Sequence, residues 1–149
     1  WGINADRICL FGESSGGHLA LLYGYSRNDQ HKVRVVFDNS GPTDLTDIHQ
    51  SSSLLYSITF LLGNYSENAQ LWHDASPTFY MTSALPTVIF SGTADSLVYF
   101  SQSELLHDSL DNHGEPNLFL PVVGGGHVLS PADWEEWRQP ILDWIKRYL

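Results

Sequence analysis

The junction around Ser14 constrains the fold of this chain more than any other feature. Residues 8–11 form a short apolar run, the pentapeptide Gly-Glu-Ser-Ser-Gly follows at 12–16, and residues 18–23 favour a helix. A buried strand that turns sharply into a helix is the setting in which a G-x-S-x-G sequence holds its serine above a sheet. The sequence therefore predicts a strained turn with the Ser14 hydroxyl exposed at a strand end.

The glycines of this pentapeptide are expected to relieve crowding at the turn. Side chains two positions before and after Ser14, at Gly12 and Gly16, would clash in so sharp a bend. The turn also places the Ser15 N–H at the N-terminus of the helix, where it can stabilise a developing oxyanion. Ser15 is therefore the candidate oxyanion donor.

The remaining chain alternates short apolar runs with helical segments. Further strands are predicted at 33–37, 87–90 and 118–120, the last with a possible extension to 123. Residues 35–37 are apolar without alternation, and continuous apolar strands are typical of parallel sheets covered on both faces. The sequence therefore predicts an α/β fold, a mostly parallel sheet flanked by helices.

Two later helices have clear boundary signals. Ser101 and Glu104 fit a capping box, and Gly114 is expected to end that helix, whose apolar face is Leu105, Leu106 and Leu110. The final helix is predicted from Ser130-Pro131 onwards, with Trp134, Trp137, Ile141, Trp144 and Tyr148 at amphipathic spacing. Pro140 interrupts it, which predicts either a kinked helix or two short ones.

The segment 43–80 is less regular than the rest of the chain. Its apolar stretch at 54–62 ends at Gly63 and is expected to be helical. Three interpretations stay open for the segment: a lid, a wall of a substrate pocket, or a plain connection.

A serine nucleophile needs a base that is oriented by a third group. In this topology the acid and then the histidine follow the serine, each on a loop after a strand. Asp95 follows the strand at 87–90, and His127 follows the strand at 118–120 after three glycines. Ser14, Asp95 and His127 are therefore the candidate catalytic residues.

Other residues compete for these roles. Asp38 also follows a strand and is the main rival acid, and Asp44 is a weaker one. Glu13 is expected either to form a salt bridge nearby or to line the pocket, whereas His18 is expected to pack or to cap. The other histidines are expected to be solvated: His31, His49, His73, His107 and His113. Because no histidine pair has ligand spacing beside a carboxylate, we expect no metal site. A serine nucleophile with its base and acid needs no cofactor, so none is expected.

The charge balance restricts the partners. Lys and Arg number 7 against 17 Asp and Glu, which gives a formal net charge of −10. This balance argues against nucleic acid or an anionic membrane as the main partner. The single Cys9 forms no internal disulfide and gives no information on the redox compartment. The expected partner is a small-molecule or carbohydrate-linked ester. Tryptophan side chains can stack on a sugar, but core packing is the favoured role of Trp134 and Trp137.

Residues 12–20 (Gly-Glu-Ser-Ser-Gly-Gly-His-Leu-Ala) resemble the nucleophile elbow of α/β-hydrolases of the carboxylesterase and acetyl-esterase type. The similarity extends to Arg7-Ile8, Ser76-Pro77, 92–98 and Gln102-Ser103. It is greatest to the group of feruloyl and acetyl-xylan esterases and weaker to prolyl-oligopeptidase-like peptidases. The resemblance implies ester hydrolysis, with Ser14 as nucleophile, Asp95 as acid and His127 as base. A serine peptidase or amidase, and a non-catalytic binding module, stay open as alternatives.

The start of the chain differs from this group. Trp1-Gly2-Ile3-Asn4 is expected to be a helix end that enters a turn, and nothing before Gly12 is similar to the His-Gly-Gly-Gly loop that supplies a second oxyanion N–H. We therefore expect residues 1–149 to be the C-terminal portion of a single α/β-hydrolase catalytic domain. The strand at 8–11 is then expected to be an exposed apolar edge.

Overall fold

A computed structural model describes residues 4–47 and 51–149, so the expectations for Trp1–Ile3 and His49 lie outside the described residues. Within this part, four parallel strands form one sheet in chain order: β1 Ile8–Glu13, β2 Val33–Asn39, β3 Thr87–Gly92 and β4 Asn117–Val122. The helices around it are α1 Ser15–Ser26, α2 Ser52–Leu62, α3 Tyr65–Asp74, α4 Ser101–His113 and α5 Pro131–Tyr148, with a 3-10 helix at Pro77–Ser83. The α/β fold predicted from the sequence is confirmed.

The two faces of the sheet explain why its strands are apolar without alternation. Val36 of β2 packs with Leu21 of α1 and Leu106 of α4 on one face. The next residue, Phe37, packs with Ile141 of α5 on the other face. Because successive side chains of a strand point to opposite faces, a strand covered on both sides carries apolar residues on both faces.

One edge of the described sheet is β1, which pairs with β2 alone, and the other edge is β4, which pairs with β3 alone. Phe11 of β1 is 58% exposed, although its ring contacts those of Phe37 and Trp134. The expectation of an apolar edge strand at 8–11 is confirmed for the described part of the chain.

The helix α4 differs from its prediction at its start. Its N-cap is Phe100, which has helical dihedral angles and makes no side-chain cap hydrogen bond. The prediction of a capping box formed by Ser101 and Glu104 is therefore wrong. Leu106 and Leu110 are fully buried, whereas Leu105 is 37% exposed and lies off the apolar face. Gly114 ends the helix in the left-handed conformation, as predicted, because glycine has no Cβ to strain there.

The helix α5 runs without a break through Pro140, so the alternative of two short helices is wrong. A capping box of Ser130 and Asp133 fixes its start. Trp134, Trp137 and Trp144 pack against the sheet on both sides of the proline. This packing offsets the backbone hydrogen bond that proline cannot donate.

The segment 43–80 contains more helix than the sequence predicts. The expected helix is present as α2, but α3 and the 3-10 helix were not predicted. The buried residue of α3 is Trp72. Trp72 packs on Leu45 and Ile58 and donates a hydrogen bond to the Gly63 carbonyl. No described helix is long and apolar enough to cross a membrane.

We predict that Pro140→Ala stabilises the protein. Pro140 is an exposed position in the middle of α5, and a proline there is about 3 kcal/mol less favourable than alanine. The free energy of unfolding should rise by between about 1 and 3 kcal/mol, measured by denaturant titration. Glu136→Ala, an exposed neighbour on the same helix, is the control and should change it little. A loss of stability in Pro140→Ala would contradict this account of α5.

Candidate active site

Ser14 lies at the turn between β1 and α1 in a strained conformation, as predicted. Its φ of 55° and ψ of −123° are unfavourable for a residue with a side chain. Two backbone hydrogen bonds hold it there: Ser14 N–H donates to the Asn39 carbonyl at 2.7 Å, and its carbonyl accepts from His18 N–H at 3.1 Å. The end of β2 and the first turn of α1 therefore fix the turn together.

Crowding at the turn falls on Gly12 and Gly17 rather than on Gly12 and Gly16. A Cβ at Gly12 would overlap the Gly16 carbonyl, as predicted. A Cβ at Gly16 would meet no atom within 4 Å, so the predicted clash there is wrong. A Cβ at Gly17 would overlap the Asp38 carboxyl, because α1 packs closely over the end of β2.

The side chains of Ser14, His127 and Asp95 form one hydrogen-bonded row. The distance from His127 Nε2 to Ser14 Oγ is 2.9 Å, and that from His127 Nδ1 to Asp95 Oδ2 is 2.7 Å. The Asp95 side chain is fully buried, and that of His127 is 18% exposed. The structure thus brings together the three residues that the sequence selects, from the ends of three different strands.

Asp95 sets the tautomer of His127. Its Oδ1 accepts the N–H groups of Leu97 and Val98 at 2.8 and 3.0 Å, so both carboxylate oxygens are occupied. Since a carboxylate can only accept, the proton in the pair belongs to His127 Nδ1. His127 Nε2 is then unprotonated and accepts from the Ser14 hydroxyl.

The loops after β3 and β4 are tied together, which places Asp95 beside His127. Thr93 N–H donates to the Val122 carbonyl, and Ala94 N–H donates to the Gly125 carbonyl, both at 2.9 Å. A Cβ at Gly92 would overlap the Gly125 carbonyl. The glycines before His127 therefore permit a close approach of the two loops.

The candidate oxyanion donor Ser15 is the first residue of α1. Its N–H has no acceptor within the helix, because the first N–H groups of any helix lack one. It lies directly after Ser14 at the positive end of the helix dipole, which favours negative charge.

The rival acid Asp38 is buried beneath this turn and is not part of the row. Its Oδ1 accepts Gly41 N–H at 3.0 Å, and its Oδ2 has no hydrogen-bond partner among the described residues. Burial raises the pKa of Asp38 well above its ordinary value. Asp38 therefore favours its neutral form. A neutral carboxyl stabilises an imidazolium less than a carboxylate does, so Asp38 is not suited to the role of the acid.

Other competitors are placed as follows. His18 donates Nδ1–H to the Pro42 carbonyl at 2.9 Å, which confirms packing or capping. Glu13 is exposed and forms no ion pair in the described part of the chain, and the Asp44 carboxylate accepts from Thr46.

The other described histidines were predicted to be solvated. Three of them are exposed, His31, His73 and His113, and His107 is half-buried. Among the described residues, no cluster of three or more His, Cys, Asp or Glu side chains could hold a metal.

Two adjacent cavities open beside the row. The smaller, the reaction chamber, has a volume of about 260 Å³ and is lined by Ser14, Ser15, Pro42, Ser53, Leu54, Ser57, Leu97 and Val98. The larger, the apolar cavity, has a volume of about 490 Å³ and extends between α1 and α2. Since α2 lines both, it forms the pocket wall that was one interpretation of the segment 43–80.

Comparison with known proteins gives a family model and a set of solved structures. The model described as BD-FAE matches residues 1–110. A puromycin-hydrolyzing peptidase of Mycobacterium tuberculosis is similar with a TM-score of 0.89 and 19% identity over 98% of this chain. An acylaminoacyl peptidase of Pyrococcus horikoshii has a TM-score of 0.85, 18% identity and 98% coverage. A bifunctional GH43-CE protein of Bacteroides eggerthii has a TM-score of 0.76, 22% identity and 92% coverage.

These similarities support the α/β-hydrolase fold at low sequence identity. The present chain spans 22%, 24% and 21% of the lengths of those three chains. No curated protein matches the sequence.

We predict that alanine is strongly destabilising at Gly12 and nearly neutral at Gly16. Gly12→Ala should lower the free energy of unfolding by about 3 kcal/mol or more, because the new Cβ meets backbone that cannot move aside. Gly16→Ala should change it by less than about 1 kcal/mol, since the space is open and alanine favours the helix. Denaturant titration of both variants gives the comparison, and equal losses would contradict the proposed crowding.

We predict that Asp38→Asn is more stabilising at high pH than at low pH. The folded chain retains the Asp38 proton above the ordinary pKa of 3.8, where the unfolded chain has lost it. The stabilising contribution of the carboxyl is therefore full below about pH 4 and is lost as the pH rises towards the folded-state pKa. Asparagine keeps the acceptor for Gly41 and does not titrate.

The difference in melting temperature between Asp38→Asn and the natural protein should therefore grow from pH 4 to pH 8. Thermal unfolding followed by circular dichroism measures it. Asp108→Asn, at an exposed position of α4, is the matched control. A difference independent of pH would show that Asp38 ionises at its ordinary pKa.

Proposed function

This chain belongs to the BD-FAE family, and on that premise we propose that it is a serine hydrolase that cleaves carboxylic esters through an acyl-enzyme. The observation that carries the proposal is the hydrogen-bonded row of Ser14, His127 and Asp95. The proposed substrate is a small-molecule or carbohydrate-linked ester, and the residues of the row need no cofactor for this reaction.

In the first half of the reaction, Ser14 Oγ attacks the ester carbonyl carbon while His127 Nε2 takes the hydroxyl proton. The carbonyl oxygen becomes an oxyanion, to which Ser15 N–H donates a hydrogen bond. Asp95 stabilises the imidazolium through the hydrogen bond at Nδ1. His127 then gives the proton to the leaving alkoxide oxygen as the carbon–oxygen bond breaks, which leaves an acyl group on Ser14.

The second half repeats these proton transfers with water. His127 Nε2 takes a proton from the attacking water, and the resulting hydroxide forms the new bond to the acyl carbon. The tetrahedral intermediate collapses as Ser14 Oγ takes the proton back from His127. The products are a carboxylic acid and an alcohol, and the row regains its starting state.

Amide cleavage by the same row is the second candidate function. Most of the similar structures are described as peptidases, and the row could protonate an amine leaving group as it does an alkoxide. None of the described residues that line the reaction chamber is charged, which argues against a peptidase that binds a free amino terminus in this chamber. A peptide with a free amino terminus would find no carboxylate there to pair with. The third possibility, a non-catalytic module, leaves the strained Ser14 and its bond to His127 without a role.

We predict that Ser14→Ala lowers kcat for p-nitrophenyl acetate by at least about 10³-fold, since the acyl-enzyme cannot form. The assay uses the complete natural polypeptide, with circular dichroism to check the fold. Ser66→Ala, an exposed serine of α3, is the matched control and should retain full activity.

Substrate comparison then separates the candidates. Faster turnover of p-nitrophenyl esters than of aminoacyl p-nitroanilides supports the esterase, and the reverse supports the peptidase. A folded protein that cleaves neither substrate, or a Ser14→Ala variant with full activity, would refute catalysis by this row.

A further inference from the structure

The apolar cavity between α1 and α2 has the size and lining of a ligand pocket. Its volume of about 490 Å³ lies within the range of small-molecule pockets. Aliphatic side chains form most of its wall, including Leu19, Leu22, Ile58, Leu61, Leu62 and Ala75. An apolar group bound there would gain by leaving water.

The polar groups of this cavity do not suit a charged ligand. The described lining residues include no Asp, Glu, Lys or Arg, and the polar ones are Ser15, His18 and Ser57. Burial lowers the pKa of His18, so its imidazole is neutral, and its Nδ1–H is already donated to Pro42. The Ser57 hydroxyl is donated to the Ser53 carbonyl. Recognition in this cavity therefore comes from apolar contact.

The apolar cavity and the reaction chamber are neighbours. Four residues line both of them: Ser15, Pro42, Leu54 and Ser57. Ser14 lines the reaction chamber. A molecule with its carbonyl carbon at Ser14 Oγ can therefore extend one substituent between α1 and α2.

The position of His127 indicates which side of the ester this substituent belongs to. His127 protonates the leaving alcohol, so the alcohol must lie beside His127 Nε2. Residues 123–130, the loop of His127, line neither cavity, whereas α1 beyond Ser14 lines the apolar one. The alcohol is therefore assigned to the side of His127, and the apolar cavity, which no residue of that loop lines, is assigned to the acyl group.

We propose that the apolar cavity binds the acyl chain of the substrate, so that esters of medium-length aliphatic acids are preferred to acetates. This inference rests on the proposed function and specifies its substrate class. The specificity is set by α2, whose Leu54, Ile58, Leu61 and Leu62 form the wall that faces α1.

The test compares p-nitrophenyl acetate, butanoate, hexanoate and octanoate with the complete natural polypeptide. Each added methylene buried in the cavity should raise kcat/KM up to about fourfold, until the chain outgrows the cavity. The expected profile rises from acetate to at least hexanoate. A profile that is flat or falls from acetate would overturn the inference.

Two adjacent residues of α2 provide a matched pair of variants. Leu61 and Phe60 are 76% and 79% exposed, so both tolerate a charge, but only Leu61 lines the apolar cavity. Leu61→Asp should lower the ratio of octanoate to acetate kcat/KM by about tenfold, because a carboxylate then lies beside the acyl chain. Phe60→Asp should leave that ratio unchanged. Equal effects of the two variants would assign the chain-length preference to another part of the surface.

The failure of this inference is distinguishable from the failure of the proposed function. Ester hydrolysis that depends on Ser14, with no dependence on chain length or on Leu61, refutes the acyl cavity alone. Absence of hydrolysis refutes the proposed function, and titration calorimetry with 1-octanol then measures the cavity directly. In that case, octanol binding weakened by Leu61→Asp and not by Phe60→Asp supports the cavity, and no binding overturns it.

Discussion

The hydrogen bond from His127 to Asp95 is the interaction on which the candidate site depends. It joins the loop after β4 to the loop after β3 and leaves His127 Nε2 free to accept from Ser14. The carboxylate can orient the ring because Leu97 and Val98 N–H groups hold its other oxygen. Without these donors a buried carboxylate would lose the hydrogen bonds that offset its removal from water.

The strain at Ser14 is the second constraint, and the parallel sheet makes it tolerable. The backbone bonds to Asn39 and His18 belong to β2 and α1, elements that are themselves fixed by packing. The turn therefore keeps its unfavourable dihedral angles because several rigid neighbours over-determine them. The same close packing explains why Gly12 and Gly17 have no room for a Cβ and why Asp38 is buried beneath the turn.

The sequence predicted the local elements best where the pattern was strong. The strands were identified because continuous apolar runs end at glycine or polar residues. The helix α3 was missed because its single buried residue, Trp72, packs on α2 and on Leu45, contacts that no local pattern reveals. The capping box at Ser101 failed because the chain enters α4 from Phe100 with helical dihedral angles. Crowding was assigned to Gly16 instead of Gly17 because the colliding group, Asp38, belongs to another strand.

The sequence by itself determined the α/β class, the turn at Ser14 and the choice of Ser14, Asp95 and His127 as a set, because each depends on order along the chain and on local turn chemistry. Tertiary structure alone decided that Asp38 stays apart from this row and that α2 lines two cavities beside it. Those outcomes depend on which faces of distant elements meet. Such distances are set by how helices pack on a sheet, and no spacing along the sequence encodes them.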